Sequence, residues 1–361
     1  MEFGIVDRCT EGLFRYRGWP TVCSDENGTL YVACSGHRLG HVCPFGKNLL
    51  YTSRDNGKKW SAPRIVTDSC MDDRDAGILA LGNGKMLTTW FNNKPELMRQ
   101  HKGLFGPDPY AENADYDQYL SDAALKLYDS IPEEKQTFGS YIKLSDDGGE
   151  SWSEAICVPV TSPHGPTLLK DGRLLYLGKE HFTDEYEEGA IMAFDSIDGG
   201  RTWNYLSKVP CPDGMDYTMM VEPHAAVLPD GTIMGAIRAH TDALRTYTCF
   251  SYDGGRTWTV PENLGVNGGP PHILVHSSGK VVITYGRRVA PFGERAVVSS
   301  DGGKTFGEEI VISEEASCSD LGYPSSAELP DGSIITVYYQ RYKDDNYCSI
   351  LYTKWRIPDN I

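Results

Sequence analysis

The stretch Ser251-Tyr252-Asp253-Gly254-Gly255-Arg256-Thr257-Trp258 decides the architecture, because the chain repeats it. Four further copies run from Ser53 to Trp60, Ser145 to Trp152, Ser196 to Trp203 and Ser299 to Phe306. All five read Ser-x-Asp-x-Gly-x-x-aromatic, and recurrence of a four-point pattern marks an internal repeat. Each element has a physical task at a tight hairpin end. Asp accepts hydrogen bonds from nearby backbone N–H groups, Gly supplies a positive φ, and the aromatic ring packs under the turn.

A second repeat runs beside the first. Apolar strand, turn glycine, apolar strand occurs around Asn27-Gly28, Asn83-Gly84, Asp171-Gly172, Asp230-Gly231, Ser278-Gly279 and Asp331-Gly332. Val227-Leu228-Pro229-Asp230-Gly231-Thr232-Ile233-Met234 shows the form, a hairpin signal between hydrophobic runs. Five of these six turns are followed by a box, so each unit reads strand A, turn, strand B, loop, strand C, box, strand D. Four antiparallel strands in each of six units predict an all-β fold, a six-bladed β-propeller occupying residues 1–361 as one domain. The sixth unit has no box, because the chain ends after a third strand at Ile350 to Trp355. Glu2 to Val6 is expected to supply its fourth strand.

The gap between Gly84 and Gly172 is longer than the rest and places an insertion at about 92–137, in the B–C loop of blade two. Tyr116, Tyr119, Leu120, Ala123, Leu127, Tyr128 and Ile131 follow helical periodicity there, with Asn113 able to cap and Pro132 stopping the run.

Composition narrows the partners. The 361 residues carry a formal charge of −16, which argues against a nucleic-acid backbone or an anionic membrane surface. The N-terminus shows no basic region followed by an apolar stretch, and no apolar run has membrane-spanning length, so the expectation is a cytoplasmic protein. The ten cysteines include no C-x-x-C pair and read as reduced core residues, Cys43 among them. No short ligand spacing suggests a metal, and no cofactor motif is present.

Strand order also separates two faces. The A–B turns and the boxes lie on one; the starts of A strands and the B–C loops lie on the other. Residues just before the A strands ring the axis of that second face. They are Arg17-Gly18-Trp19-Pro20, Asp73-Arg74-Asp75, His164, Glu222-Pro223-His224, Pro271-His272 and Gly322-Tyr323-Pro324. The ends of B strands add Arg38 with His41, His181, Arg238 with His240, and Arg287 with Arg288. The start of a C strand adds Arg295. Turns want Gly, Pro, Asn and Ser; this collection of Arg, His, acid and Tyr suits a ligand pocket.

With these residues in view, the sequence resembles the sialidase family of Asp-box propellers over nearly all its length outside the insertion. Arg17-Gly18-Trp19-Pro20 is similar to the family's Arg-x-Pro motif with one extra residue. Glu222 followed by Arg238, and Tyr323 in Gly322-Tyr323-Pro324-Ser325-Ser326, match the family's glutamate, second arginine and tyrosine. Arg295, or Arg288 beside it, stands for the third arginine, and Asp75 for an aspartate opening strand A of blade two.

The resemblance implies a retaining exo-glycosidase for a glycan ending in an acidic sugar, with no nucleic-acid or membrane partner. Arg17, Arg238 and Arg295 would fork onto the sugar carboxylate. Tyr323 would attack and Glu222 would take its proton, since a free phenol with a pKa near ~10 is a poor nucleophile. One departure stands out. The family's acid/base aspartate belongs between Arg38 and the first box, but residues 39–54 contain no Asp or Glu. His41 stands near that place, and Asp75 or Asp73 offers an alternative. Arg38, Arg74, Arg288, His164, His224 and His272 complete the expected binding residues. A uronate lyase and a non-catalytic glycan-binding propeller are the other two readings.

Overall fold

The structure is a computed structural model, described here for residues 1–93, 118–181, 183–241 and 244–359. Six antiparallel sheets follow one another along the chain. Blade one is built from Tyr16–Ser24, Leu30–Arg38, Lys47–Ser53 and Arg64–Thr67. Blade two uses Arg74–Gly82, Lys85–Asn92, Gly139–Ser145 and Ile156–Val158. In blade three the inner edge is split into Val160–Thr161 and Thr167–Leu168, both paired to Leu174–Glu180. Blades four and five run from Met220 to Asn267 and from Pro271 to Ser313. Blade six combines Gly322–Glu328, Ile334–Arg341 and Cys348–Trp355 with the N-terminal strand Glu2–Asp7, which pairs antiparallel with Cys348–Trp355. The ring therefore closes as expected from the missing sixth box.

The repeats explain the blades atom by atom. In every box the Ser hydroxyl donates to the Asp Oδ1, 2.7–2.9 Å away, and accepts the N–H of the box glycine. The same Oδ1 accepts two further backbone N–H groups, as from Arg256 and Thr257 to Asp253. Five hairpins share one turn in which the glycine N–H donates to a carbonyl three residues back. The hairpin at Asn83-Gly84 is tighter, with both residues at positive φ.

Apolar side chains of neighbouring blades interleave into a continuous belt of cores. One joins Trp19, Val32 and Leu49 of blade one to Tyr323, Val337 and Ile350 of blade six. All ten cysteines are unpaired; Cys43 is buried as expected, whereas Cys157 is exposed on an outer strand.

The insertion contains a helix, Gln118–Asp129. Asn113 and Tyr116 lie outside the described residues. The helix buries Ala124, Leu125 and Tyr128, with Ile131 beyond its end, and leaves Tyr119 and Leu127 exposed, so the apolar stripe is rotated from the one expected. It is rotated because the partner is a loop of blade one: the helix packs on Val42, Phe45 and Met71. The Tyr128 ring stands edge-on to Phe45, and its hydroxyl points at the Met71 sulfur, 3.4 Å away.

Candidate active site

Four inner strands carry the same irregularity near their start. The pairing register slips between Gly18 and Thr21, between Arg74 and Gly77, between Val221 and His224, and between Gly322 and Ser325. Within each slip sits one residue in the left-handed region: Trp19 (φ 54°), Asp75 (φ 52°), Glu222 (φ 53°) and Tyr323 (φ 50°). For non-glycine residues this conformation is uncommon and concentrates at functional sites. A bulge re-aims a side chain that a regular strand would send to a blade interface. Four blades thus deliver Trp, Asp, Glu and Tyr to the same level of the axis.

Three of these four line a cavity of about 360 Å³, together with His41, Val42, Arg74, Phe91, Asn93, Thr161, Ser162, Pro163, Lys179, His181 and Val221. Trp19 lies beneath it, with the Arg74 guanidinium 4.1 Å above the indole ring and the edge of His41 at 5.0 Å.

On one wall the Tyr323 hydroxyl donates to Glu222 Oε1, and Arg238 Nη1 donates to Glu222 Oε2 at 2.6 Å. Burial opposes the charge on Glu222, yet Arg238, the Tyr323 hydroxyl and Arg288 outweigh it and hold the carboxyl below its ordinary value. Burial, then Glu222 and Asp75, push the Tyr323 phenol well above its ordinary value. The resting pair is therefore a phenol bonded to a carboxylate. Two glycines make room for it. A Cβ at Gly269 would meet Arg238 Cγ at 2.9 Å, and one at Gly286 would meet Gly322 Cα at 2.7 Å.

Asp75 behaves differently. Its Oδ1 is buried with no hydrogen-bond partner among the described residues, and Arg74 Nε stands 3.9 Å away. Burial first, then the charge of Glu222, raise its acid to about 7 against the pull of Arg74. His41 is held from behind: its Nδ1 lies 3.0 Å from Asp320 Oδ1 and 2.9 Å from the Tyr16 hydroxyl. Burial lowers its basicity, with Asp320 opposing.

Several residues expected in the site are elsewhere. Arg17 turns outward, donating to Asp7 at 2.6 Å and to the Phe14 carbonyl. The bulge gives the pocket position to Trp19 instead. Arg38 is fully buried and saturated by Asp72 (2.5 and 2.9 Å), Ser35 and the carbonyls of Gly40 and His41, so it braces the loop. Arg295 points away from the axis to Glu309, Glu314 and the Ser313 carbonyl. Strand alternation sends its neighbour Glu294 inward in its place, where it is fully buried. Asp73 accepts from Ser69 and Asn92 and serves the loop.

His164, His224 and His272 meet on the axis but are absent from the cavity lining. Their ring centroids lie 4.4–5.5 Å apart. His224 and His272 accept backbone N–H groups of Ile273 and Ser326 through Nδ1, and burial keeps both rings neutral. They pack against one another at the propeller's centre, beside rather than within the ligand cavity. Arg288 remains at the site, 5.7 Å over the Tyr323 ring. Among the described residues no group of three or more His, Cys, Asp or Glu side chains is placed to hold a metal ion.

Sequence reasoning passed over Trp19, Asp320 and Lys179. Lys179 donates to the carbonyls of Gly189, Tyr217 and Met220. Trp19 was legible as the residue before the blade-one proline; Asp320 carried no signal, lying in a loop before the last A strand.

A six-bladed Asp-box propeller with bulge-borne acid and tyrosine residues on its axis is a sialidase-type scaffold. The chain belongs to the BNR repeat-like domain family, which it matches over residues 119–337. It is 28% identical over 201 residues to a sialidase of Micromonospora viridifaciens; the aligned stretch is 46% of this chain and spans only 30% of that relative. A crystal structure of a protein of unknown function from Dyadobacter fermentans superposes with a TM-score of 0.78 at 21% identity, covering 99% of this chain and 98% of the other. The NanB sialidase of Streptococcus pneumoniae gives 0.68 at 16% identity, with coverage of 98% and 70%. The intramolecular trans-sialidase of Ruminococcus gnavus gives 0.66 at 16%, with coverage of 98% and 96%. At these identities the solved structures speak for the fold.

Proposed function

We propose that the protein is a retaining exo-glycosidase of the sialidase type that removes a terminal acidic sugar from a glycan. The observation that carries this reading is the Tyr323–Glu222 hydrogen bond on the wall of a cavity shared with Asp75. Other phenols of this protein also bond to carboxylates, as Tyr16 does to Asp320, but in this pair both partners line the cavity.

The chemistry follows from the protonation states. The Tyr323 oxygen attacks the anomeric carbon while its proton passes to Glu222, so no free phenolate has to exist beforehand. The glycosidic C–O bond breaks and the leaving oxygen takes the proton of Asp75, whose acid near 7 is partly protonated at neutral pH. Water then attacks the same carbon, giving its proton to the Asp75 carboxylate. The tyrosine leaves and recovers its proton from Glu222. Two displacements at one carbon retain configuration.

The local charge supports an anionic sugar despite the total of −16. Arg74 and Lys179 line the cavity, and Arg238 and Arg288 stand outside its lining against Glu222 and the Tyr323 ring. Glu222 and the fully buried Asp320 are held as ionised acids. With Arg17 and Arg295 turned away, Arg238, Arg288 and Arg74 are the guanidiniums left to meet a carboxylate.

The test is incubation with aryl glycosides of sialic acids, uronic acids and neutral sugars, following released phenol and product stereochemistry. Turnover of a sialoside with retention is the expected result. A uronate product absorbing in the ultraviolet would instead select a lyase, and binding without product a glycan-binding propeller.

A further inference from the structure

The Asp320 carboxylate is fully buried. It is satisfied by Tyr16, whose hydroxyl donates to both oxygens at 3.0 and 2.9 Å, and by Tyr339 at 3.1 Å. The Cys348 thiol (3.5 Å) and His41 Nδ1 (3.0 Å) complete the set. Burial opposes its charge, but His41, the charge of Arg288 and the Tyr16 hydroxyl hold the acid below its ordinary value. A carboxylate accepts only, so the imidazole nitrogen facing it must carry the hydrogen. The lone pair of the neutral ring then belongs to Nε2. Nδ1 faces a carboxylate with no solvent contact, and His41 is one of the residues lining the cavity with Arg74, Asp75 and Tyr323.

We propose that Asp320 is a positioning residue that fixes His41 as the Nδ1–H tautomer, so that Nε2 presents an uncharged hydrogen-bond acceptor to an O–H or N–H group of the ligand. The identity of that ligand as an acidic sugar rests on the reading above; the tautomer does not. The arrangement answers the missing carboxylate of residues 39–54. An aspartate there would accept a sugar hydroxyl equally well but would repel a carboxylate on the same sugar. A neutral imidazole accepts the hydrogen without that repulsion. The fixed ring is also pre-paid in entropy: Trp19 holds one side edge-on at 5.0 Å, and Tyr16 stands at 5.9 Å.

The experiment is nitrogen NMR of the protein with labelled histidine, His41 being assigned by its loss in His41→Gln. The expected spectrum shows a neutral ring protonated on Nδ1 across neutral pH. Asp320→Asn is expected to move population toward the Nε2–H form, because its amide can donate to Nδ1. In the same variant KM for an aryl sialoside is expected to rise about tenfold with a smaller change in kcat. Cys348→Ser, which leaves the Asp320–His41 contact and keeps a donor toward Asp320, is expected to keep the tautomer and a near-normal KM. An Nε2–H ring in the unaltered protein overturns the proposal whether or not Asp320→Asn folds, as does an unchanged KM in a variant whose tautomer has switched. If the ring is Nδ1–H but no glycoside is turned over, the glycosidase reading falls and the tautomer assignment stands.

Discussion

The Tyr323 hydroxyl is hydrogen-bonded to Glu222 although the two residues are 101 positions apart in the chain. They belong to blades four and six, and each is the left-handed residue within a bulge at the start of its inner strand. The contact therefore joins two equivalent positions of the repeat, spanning the short inner strand Pro271–Val275 of blade five.

Tyr323→Phe removes the attacking oxygen and leaves the ring in its aromatic surroundings. The kcat is expected to fall by at least ~10³-fold, with affinity for a product sugar changed only a few-fold. Titration calorimetry beside single-turnover kinetics reads both quantities. Full activity in this variant would remove the tyrosine mechanism.

Asp75→Asn separates catalysis from stability. The native acid near 7 lies above the unfolded value of about 4, so between these pH values the native state keeps a proton that the unfolded chain has lost. Native Asp75 thus destabilises the fold increasingly as pH rises through that window, by up to about 4 kcal/mol above it. The asparagine variant should be more stable than the parent at pH 8 and no more stable at pH 4. Its activity should fall most on glycosides with poor leaving groups and little on activated aryl glycosides. Denaturation at the two pH values, with a leaving-group series, checks both; identical pH–stability curves would contradict the argument.

Arg288 and Arg295 should part company when each is replaced by alanine. Arg288→Ala is expected to raise KM for an anionic substrate about tenfold or more and to lower the melting temperature less than Arg295→Ala does. Arg295→Ala should do the reverse, costing about 2–3 kcal/mol of stability, because it is buried against Glu309 and Glu314. The cost stays under the full penalty of a buried pair because Glu314 is half-exposed. If Arg295→Ala altered KM at unchanged stability, the outward assignment would be wrong.

Tyr128→Ala should reach the site through packing. The helix Gln118–Asp129 rests on the loop that carries Val42 and His41, and Tyr128 is its largest buried residue. Removing the ring is expected to cost about 3 kcal/mol and to raise KM more than it lowers kcat. Hydrogen exchange at residues 39–46 should rise in parallel; protection equal to the parent would show the helix to be independent of the site.

Much of this molecule is legible from the chain alone. The boxes and turn glycines are local devices, each closed by hydrogen bonds within five residues, so their recurrence counts the blades and separates the two faces. That count also located Glu222, Arg238, Asp75, His41 and Tyr323. The short final blade pointed to Glu2 to Val6 as its partner strand, and the strand observed there is Glu2–Asp7. What tertiary structure alone decided is which side chains turn to the axis. Side chains on a strand alternate, and one extra residue in a bulge reverses them. A single step therefore hands a place from Arg17 to Trp19, and strand alternation alone hands another from Arg295 to Glu294. Asp320 lies 279 residues from His41 and meets it only because the ring closes. Long-range contacts of this kind leave no periodic trace in a sequence. Ser251 to Trp258 and its siblings thus determine the propeller, and the bulges on the opposite face decide what it can hold.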